Sequence, residues 1–233
     1  MSKIKDDYNK LVSFWNESFV INDEDKKHIM KDTSDDYRKL SPSLKQLEAL
    51  RLFNGKNVVL DYGCGSGWAS IIMAKSGAKR IDAVDVSLNS IEMVNCYKEA
   101  YDVSKIINAI HINEKWLKEQ EGNKYDGFFS SNVVDVIPLT MALDIIKEAA
   151  RITKEGALVV FSLNFYIEPS IMKERGCLID GPHIYINDVL RLTALTDQEW
   201  MDIFSKYFKN IKLQYYAWSG EEKERRRLFI MEK

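Results

Sequence analysis

The stretch Val58-Val59-Leu60-Asp61-Tyr62-Gly63-Cys64-Gly65-Ser66-Gly67 constrains this chain more than any other part of it. Val58, Val59 and Leu60 form a short, β-branched apolar run of the kind that becomes a buried strand. The run leads straight into a turn with glycine at three alternate positions. A helix is expected next, over about Ser66 to Lys75, with Trp68, Ile71 and Ile72 on its apolar side. Glycine permits positive φ and lets a ligand touch bare backbone. The first turn of the helix offers unpaired N–H groups to an electronegative group such as a carboxylate. A strand, turn and helix in this order belong at the carboxyl end of a parallel sheet, where open α/β folds bind their ligands.

The rest of the chain supports that architecture. Further strands are expected at Ile81 to Val84, Ile106 to Ile112, Tyr125 to Ser131 and Gly156 to Leu163. Between them lie a helix capped by Ser87 and carrying Leu88, Ile91 and Val94, and another from about Pro138 to Ile152. Such alternation predicts a doubly wound, mostly parallel α/β sheet with helices on both faces and right-handed crossovers. Thr196 and Glu199 form a capping box for a helix through Trp200, Ile203, Phe204 and Phe208. Ile211 to Trp218 and Leu228 to Met231 then read as a C-terminal antiparallel hairpin, bringing the sheet to seven strands. The charged stretch Glu221 to Arg227 joins the two strands; within it Arg225-Arg226-Arg227 could touch phosphates but reads better as a solvated lead into the last strand.

Residues 1–53 read as a helical N-terminal extension, and residues 54–233 as the main domain. Within the extension, the polar stretch from Asn22 to Asp36 follows an apolar cluster around Leu11 to Val20. Ser41 and Pro42 are expected to open a helix that buries Leu44, Leu47 and Leu50 and turns Arg51 to solvent. Tyr8, Phe14, Trp15 and Tyr37 fit equally a pocket wall beneath a lid or plain core packing. Residues 164–195 carry no clear pattern and are expected to rise over the ligand as an acceptor-site insertion.

Composition narrows the setting. With 233 residues, 45% hydrophobic and 29% charged, the chain has material for one large core. A formal net charge of -2 supplies no global field toward nucleic acid or an anionic membrane. No run approaches the roughly 20 apolar residues of a membrane span. Cys64, Cys96 and Cys177 are odd in number and lack metal-ligand spacing, which reads as a reduced, cytoplasmic protein without a metal.

Asp85 closes the second strand, 22 residues after Gly63. An acidic side chain there can accept hydrogen bonds from both ribose hydroxyls of an adenosine and would repel a 2′-phosphate. The turn spacing is G-x-G-x-G, with Trp68 where the dinucleotide pattern G-x-G-x-x-G would need its last glycine. Taken with Asp61, Asp85-Val86-Ser87, the Tyr125 to Ser131 strand and Arg151 to Leu158, the turn resembles that of the class I S-adenosylmethionine-dependent methyltransferases. The resemblance spans about residues 56 to 164.

That resemblance implies S-adenosylmethionine as cofactor and S-adenosylhomocysteine as product. It implies that Asp61, Gly63, Cys64, Gly65 and Gly67 hold the methionine end, Asp85 the ribose and Val86 the adenine. Asn113 or Glu114 would meet the adenine amino group, and Ser130 and Ser131 would flank the methionine portion or the acceptor. The reaction implied is in-line transfer of a methyl group to a small-molecule acceptor. Methylation of RNA or protein, or cofactor binding without catalysis, are the competing readings; a nicotinamide oxidoreductase is disfavoured by the turn spacing. His183, in Gly181-Pro182-His183-Ile184-Tyr185, is the one candidate base, set against a structural role. Cys64 reads as a small packing residue and not a nucleophile.

Overall fold

A computed structural model describes residues 3–31 and 36–233. Met1, Ser2 and residues 32–35, the last part of the polar stretch expected after Asn22, lie outside the described residues. The N-terminal part is helical as expected: α1 (Lys3–Ser18), α2 (Asp23–Lys31), a single 3-10 turn (Tyr37–Leu40) and α3 (Leu44–Arg51). The main sheet is then built by β1 (Val59–Tyr62), α4 (Trp68–Lys75), β2 (Ile81–Asp85), α5 (Leu88–Ala100) and β3 (Ile107–His111). It continues through α6 (Trp116–Glu119), β4 (Tyr125–Ser131), α7 (Leu139–Ile152) and β5 (Thr153–Leu163). Next come α8 (Pro169–Glu174), β6 (Leu178–Asp180), β7 (His183–Ile186) and β8 (Val189–Thr193). The chain ends with α9 (Asp197–Phe204), β9 (Lys209–Tyr216) and β10 (Arg226–Glu232).

Seven strands form one sheet in the order β3-β2-β1-β4-β5-β10-β9. The β1, β2, β3, β4 and β5 pairings are parallel, whereas β10 runs antiparallel to both β5 and β9. The order reverses between β1 and β4, so the turn after β1 opens at the switch point of the sheet. The two faces follow the period of two along each strand. Leu60, Tyr62, Phe128 and Phe161 pack beneath α7 and α9. Val59, Phe129 and Val160 face the other way, toward α3 and α4. Ser87 caps α5 by accepting from the Ser90 N–H, and the Thr196–Glu199 capping box opens α9. Among the described residues no helix is long and apolar enough to cross a membrane.

Three expectations need correction. The helix expected from Ser41 and Pro42 begins at Leu44, with Ser43 at its N-cap. The Ser41 hydroxyl instead donates to the Ser43 carbonyl at 2.7 Å. Leu44 is 78% exposed, because the buried stripe centres on Gln46 and Leu50 and two residues amount to about 200° of helix. The second correction concerns the charged stretch before β10, where Arg226 and Arg227 are buried and not solvated. The Arg226 guanidinium stacks 3.3 Å above Trp218 and donates to Glu221. Arg227 donates to the Asn164 carbonyl at 2.8 Å and the Leu195 carbonyl at 2.7 Å. Local charge density could not reveal that Arg227 would be pinned by carbonyls distant in the chain, or that Arg226 would be held by Trp218 and Glu221.

The third correction is residues 164–195, which contain a helix and a separate three-stranded antiparallel sheet, β6-β7-β8. Its β7–β8 hairpin turns on Asn187 and Asp188, at φ of 52° and 61°, the left-handed pair that such two-residue turns require. The Thr193 N–H donates to the Asp135 carbonyl at 2.7 Å, and the Thr193 hydroxyl to the Ile137 carbonyl at 2.6 Å. Asp135 is fully buried and accepts from the backbone and side-chain amides of Asn164 at 2.6 and 2.9 Å. The Arg227 charge bears on the same carboxylate. Removing one member of a buried charge pair costs about 3–5 kcal/mol. Arg227→Met should therefore lower the unfolding free energy in urea by that amount, while exposed Arg225→Met should shift it by less than about 0.5 kcal/mol.

Candidate active site

A cavity of about 840 Å³ opens at the carboxyl ends of β1, β2 and β4, beneath α1. Its floor is the glycine turn. The Gly63 and Cys64 N–H groups both donate to the Val84 carbonyl, at 2.9 and 3.0 Å, which folds the turn across the end of β2. Gly63 sits at φ 71°, and a β-carbon there would lie 2.3 Å from Val133 Cγ2. Any side chain at this position would be both strained and blocked. The Gly65 N–H donates to Asp85 Oδ2 at 2.9 Å, and the Ser87 N–H donates to Asp85 Oδ1 at 2.8 Å. One carboxylate thus joins the turn to the cap of α5, and its acceptor capacity exceeds these two bonds.

Burial dominates the electrostatics. It raises the Asp85 carboxyl above the usual range, although the Ser87 and Gly65 N–H groups pull the other way. Burial pushes Asp61 up to about 7, against the Ser70 hydroxyl that donates to its Oδ2 at 2.6 Å. Tyr8, reaching in from α1, is raised to about 12 by burial, with Glu114 and Asp85 adding to it. Burial also lifts the Cys64 thiol well above its ordinary value, so it packs and does not present a thiolate. No group of His, Cys, Asp and Glu among the described residues could hold a metal ion.

The cavity wall brings together Asp61, Gly63, Cys64, Gly65, Asp85, Val86 and Glu114. Gly67, Asn113, Ser130 and His183 do not line it. Gly67 is the left-handed N-cap of α4 and packs on Val94. Asn113 accepts from the Lys115 N–H at 2.9 Å. The buried Ser130 hydroxyl donates to the Tyr62 carbonyl at 2.9 Å. His183 accepts through Nε2 from the Leu139 N–H at 3.0 Å and so braces the start of α7. No residue of 164–195 lines the cavity either. That segment backs α1 instead: the Tyr185 hydroxyl donates to Asp7 at 2.9 Å, and Arg191 stacks 4.2 Å from the Phe14 ring.

Sequence reasoning missed several wall residues. Tyr8 and Trp15 do line the cavity, which resolves the choice left open for them. Lys39, Trp68, Asn132, Val133 and Trp218 line it as well. Asn132 stands at φ 53°, an uncommon conformation for a residue with a side chain, and its buried Oδ1 has no partner. No local pattern marks these residues, since they come from well-separated parts of the chain.

The Asp61 shift has a signed consequence. Between the ordinary carboxyl value of 3.8 and about 7 the folded chain holds a proton that the unfolded chain has lost. Stability therefore falls as pH rises through that window. Urea unfolding from pH 4 to 7 should show the wild type losing stability relative to Asp61→Asn, and parallel curves would remove the assignment.

Comparison with known proteins agrees with this arrangement. A profile described as a methyltransferase domain matches residues 33–197. Over 164 residues the chain is 29% identical to the ribosomal protein L11 methyltransferase of Alkaliphilus metalliredigens, a match covering 68% of this chain and 45% of that one. The enzyme of the same name from Campylobacter lari is 32% identical over 117 residues, covering 48% and 37% of the two chains. The chain thus spans less than half the length of these curated relatives. Among solved structures, the 1,6-didemethyltoxoflavin-N1-methyltransferase of Burkholderia thailandensis superposes with a TM-score of 0.69 at 13% identity, covering 100% of this chain and 91% of that one. The PH0226 protein of Pyrococcus horikoshii gives 0.66 at 16% identity, covering 86% and 93%. With a profile match over most of its length, and a glycine turn and acidic strand end that fit the cofactor, this chain belongs to the methyltransferase-domain family, whose methyl donor is S-adenosylmethionine.

Proposed function

We propose that this chain transfers the methyl group of S-adenosylmethionine to a small-molecule acceptor enclosed beneath α1, in the cytoplasm. The observation that carries the reading is the cavity itself. Its volume of about 840 Å³ falls within the range of roughly 300–1,000 Å³ typical of small-ligand sites. Leu11, Val12 and Trp15 of α1 wall it where a macromolecular substrate would need an open groove. Asn16 clamps the end of that helix: its Oδ1 accepts from the Ser87 hydroxyl at 3.1 Å, and its carbonyl accepts from the Asn89 amide at 2.8 Å. The solved structure from Burkholderia thailandensis, which carries 1,6-didemethyltoxoflavin and S-adenosylhomocysteine, supports a small acceptor on this architecture. Three unpaired cysteines support a reducing compartment.

Within this reading the backbone of Gly63 and Gly65, with Asp61, holds the methionine end of the cofactor. Asp85 uses its open lone pairs for the two ribose hydroxyls. Val86 packs on the adenine, and Glu114, not Asn113, accepts from its amino group. Bound there, the sulfonium supplies an already electrophilic methyl group. The chain's contribution is then alignment and exclusion of water, and alignment alone can be worth roughly 7–11 kcal/mol. Val133, Val136, Ile137 and Met141 give part of the remaining wall an apolar lining, while its charged members Lys118 and Asp144 pair with each other and Glu148 pairs with Arg151. An uncharged acceptor fits such a wall without an unpaired buried charge. His183 has no part in this reading, because its ring is engaged at the start of α7.

Methylation of a protein is the second reading, favoured by the curated relatives, which are named for ribosomal protein L11. Calorimetry should detect S-adenosylhomocysteine and not NAD, and Asp85→Ala should weaken that binding by at least tenfold. An unchanged affinity would end the ribose role of Asp85. Labelled methyl transfer should appear with a panel of uncharged metabolites, and label appearing only on ribosomal protein or tRNA would overturn the small-molecule assignment.

A further inference from the structure

The cavity wall carries two lysines, Lys39 and Lys118, on opposite sides of the glycine turn. Lys118 is already committed, with its Nζ 2.8 Å from Asp144 Oδ2. Lys39 takes part in none of the ion pairs among the described residues; the nearest acid in the chain, Asp36, is bonded to the Arg38 guanidinium and feels the Lys39 charge only as a lesser influence. The 3-10 turn that bears Lys39 packs against α4, with Tyr37 and Leu40 in the same apolar cluster as Cys64 and Trp68. Lys39 shares the cavity wall with Ser66, Trp68 and Ala69, where α4 begins. There the first N–H groups of the helix lack intrahelical partners, and the cap, Gly67, has no side chain. Val86 packs with the other cluster, on the opposite face of the sheet.

The charges of the ligand can be set against this wall. S-adenosylmethionine brings a sulfonium, an ammonium and a carboxylate. The Asp85 carboxylate lies beside the turn, where negative charge suits the two positive centres and repels the ligand's carboxylate. The helix start alone adds only a partial positive charge. From this we infer that Lys39 is the counter-charge for the cofactor's carboxylate and so sets the amino-acid end of the ligand in place; the inference rests on the cofactor reading above. It is a binding and positioning role outside the glycine turn, contributed by the N-terminal extension. It makes that extension part of the cofactor site as well as the wall of the acceptor site.

A ligand pair isolates the effect. 5′-Methylthioadenosine shares the adenosine and thioether of S-adenosylhomocysteine and lacks its amino-acid end. Calorimetry with the full chain should show Lys39→Met weakening S-adenosylhomocysteine roughly tenfold, while methylthioadenosine changes by less than about twofold. Lys39→Arg should recover most of the lost affinity, because it keeps the charge. Unchanged S-adenosylhomocysteine affinity in Lys39→Met overturns the inference, and so does equal weakening of both ligands. A wild-type chain that binds neither nucleoside overturns the cofactor reading itself, a result distinct from either. Lys39 is exposed, so the unfolding midpoint of Lys39→Met should match the wild type and separate loss of binding from loss of fold.

Discussion

The carboxylate of Asp85, holding the Gly65 N–H with one oxygen and the Ser87 N–H with the other, is the contact on which the site depends. It fixes the glycine turn against the end of β2 and orients the cap of α5 in the same step. Left unpaired at that depth, the charge would cost several kcal/mol; the two charge-assisted bonds offset part of that cost and leave lone pairs toward the cavity. The turn in turn needs Gly63, because the space a side chain would occupy belongs to Val133 on the segment after β4. Turn, strand end and helix cap are thus mutually fitted, and a change in one is felt by the others.

Around this centre the molecule is layered outward. α1 lies over the cavity, its end clamped by Asn16 to Ser87 and Asn89. The side sheet of β6, β7 and β8 sits behind α1 and never reaches the cavity, yet Tyr185 and Arg191 hold the helix from the back. The side sheet is itself tied down by Thr193 to the Asp135 and Ile137 carbonyls. Beneath it, Asn164 bridges Asp135 and Arg226. A buried polar network of this kind is costly when half satisfied, and it links the side sheet to the last strand of the main sheet.

The elements most legible in the sequence were those with a strong local period. The strands of the main sheet, Ser87 as a cap and the Thr196 capping box all rest on neighbours within a few residues. The β6-β7-β8 sheet was not legible, because its strands are three to five residues long and their only strong signal, the left-handed Asn187-Asp188 pair, resembles any polar loop. Leu44 misled for the opposite reason: leucines at regular spacing look like one stripe, yet the buried face is chosen by what packs on it. Arg227 misled because charge is read locally, while its burial depends on carbonyl partners more than 30 residues away.

The sequence by itself determined the sheet, the position of the turn within it and the need for glycine at that turn, because all three follow from backbone sterics and short-range pattern. It also placed Asp85 at the end of β2, beside the turn. Only the tertiary structure decided which side chains share the cavity wall: it drew in Tyr8, Trp15, Lys39, Asn132 and Trp218, and it placed Gly67, Asn113, Ser130 and His183 in bracing contacts elsewhere. The physical reason is that a cavity wall is assembled from elements far apart in the chain. Its membership is set by how helices dock on the sheet, and no local period records that docking.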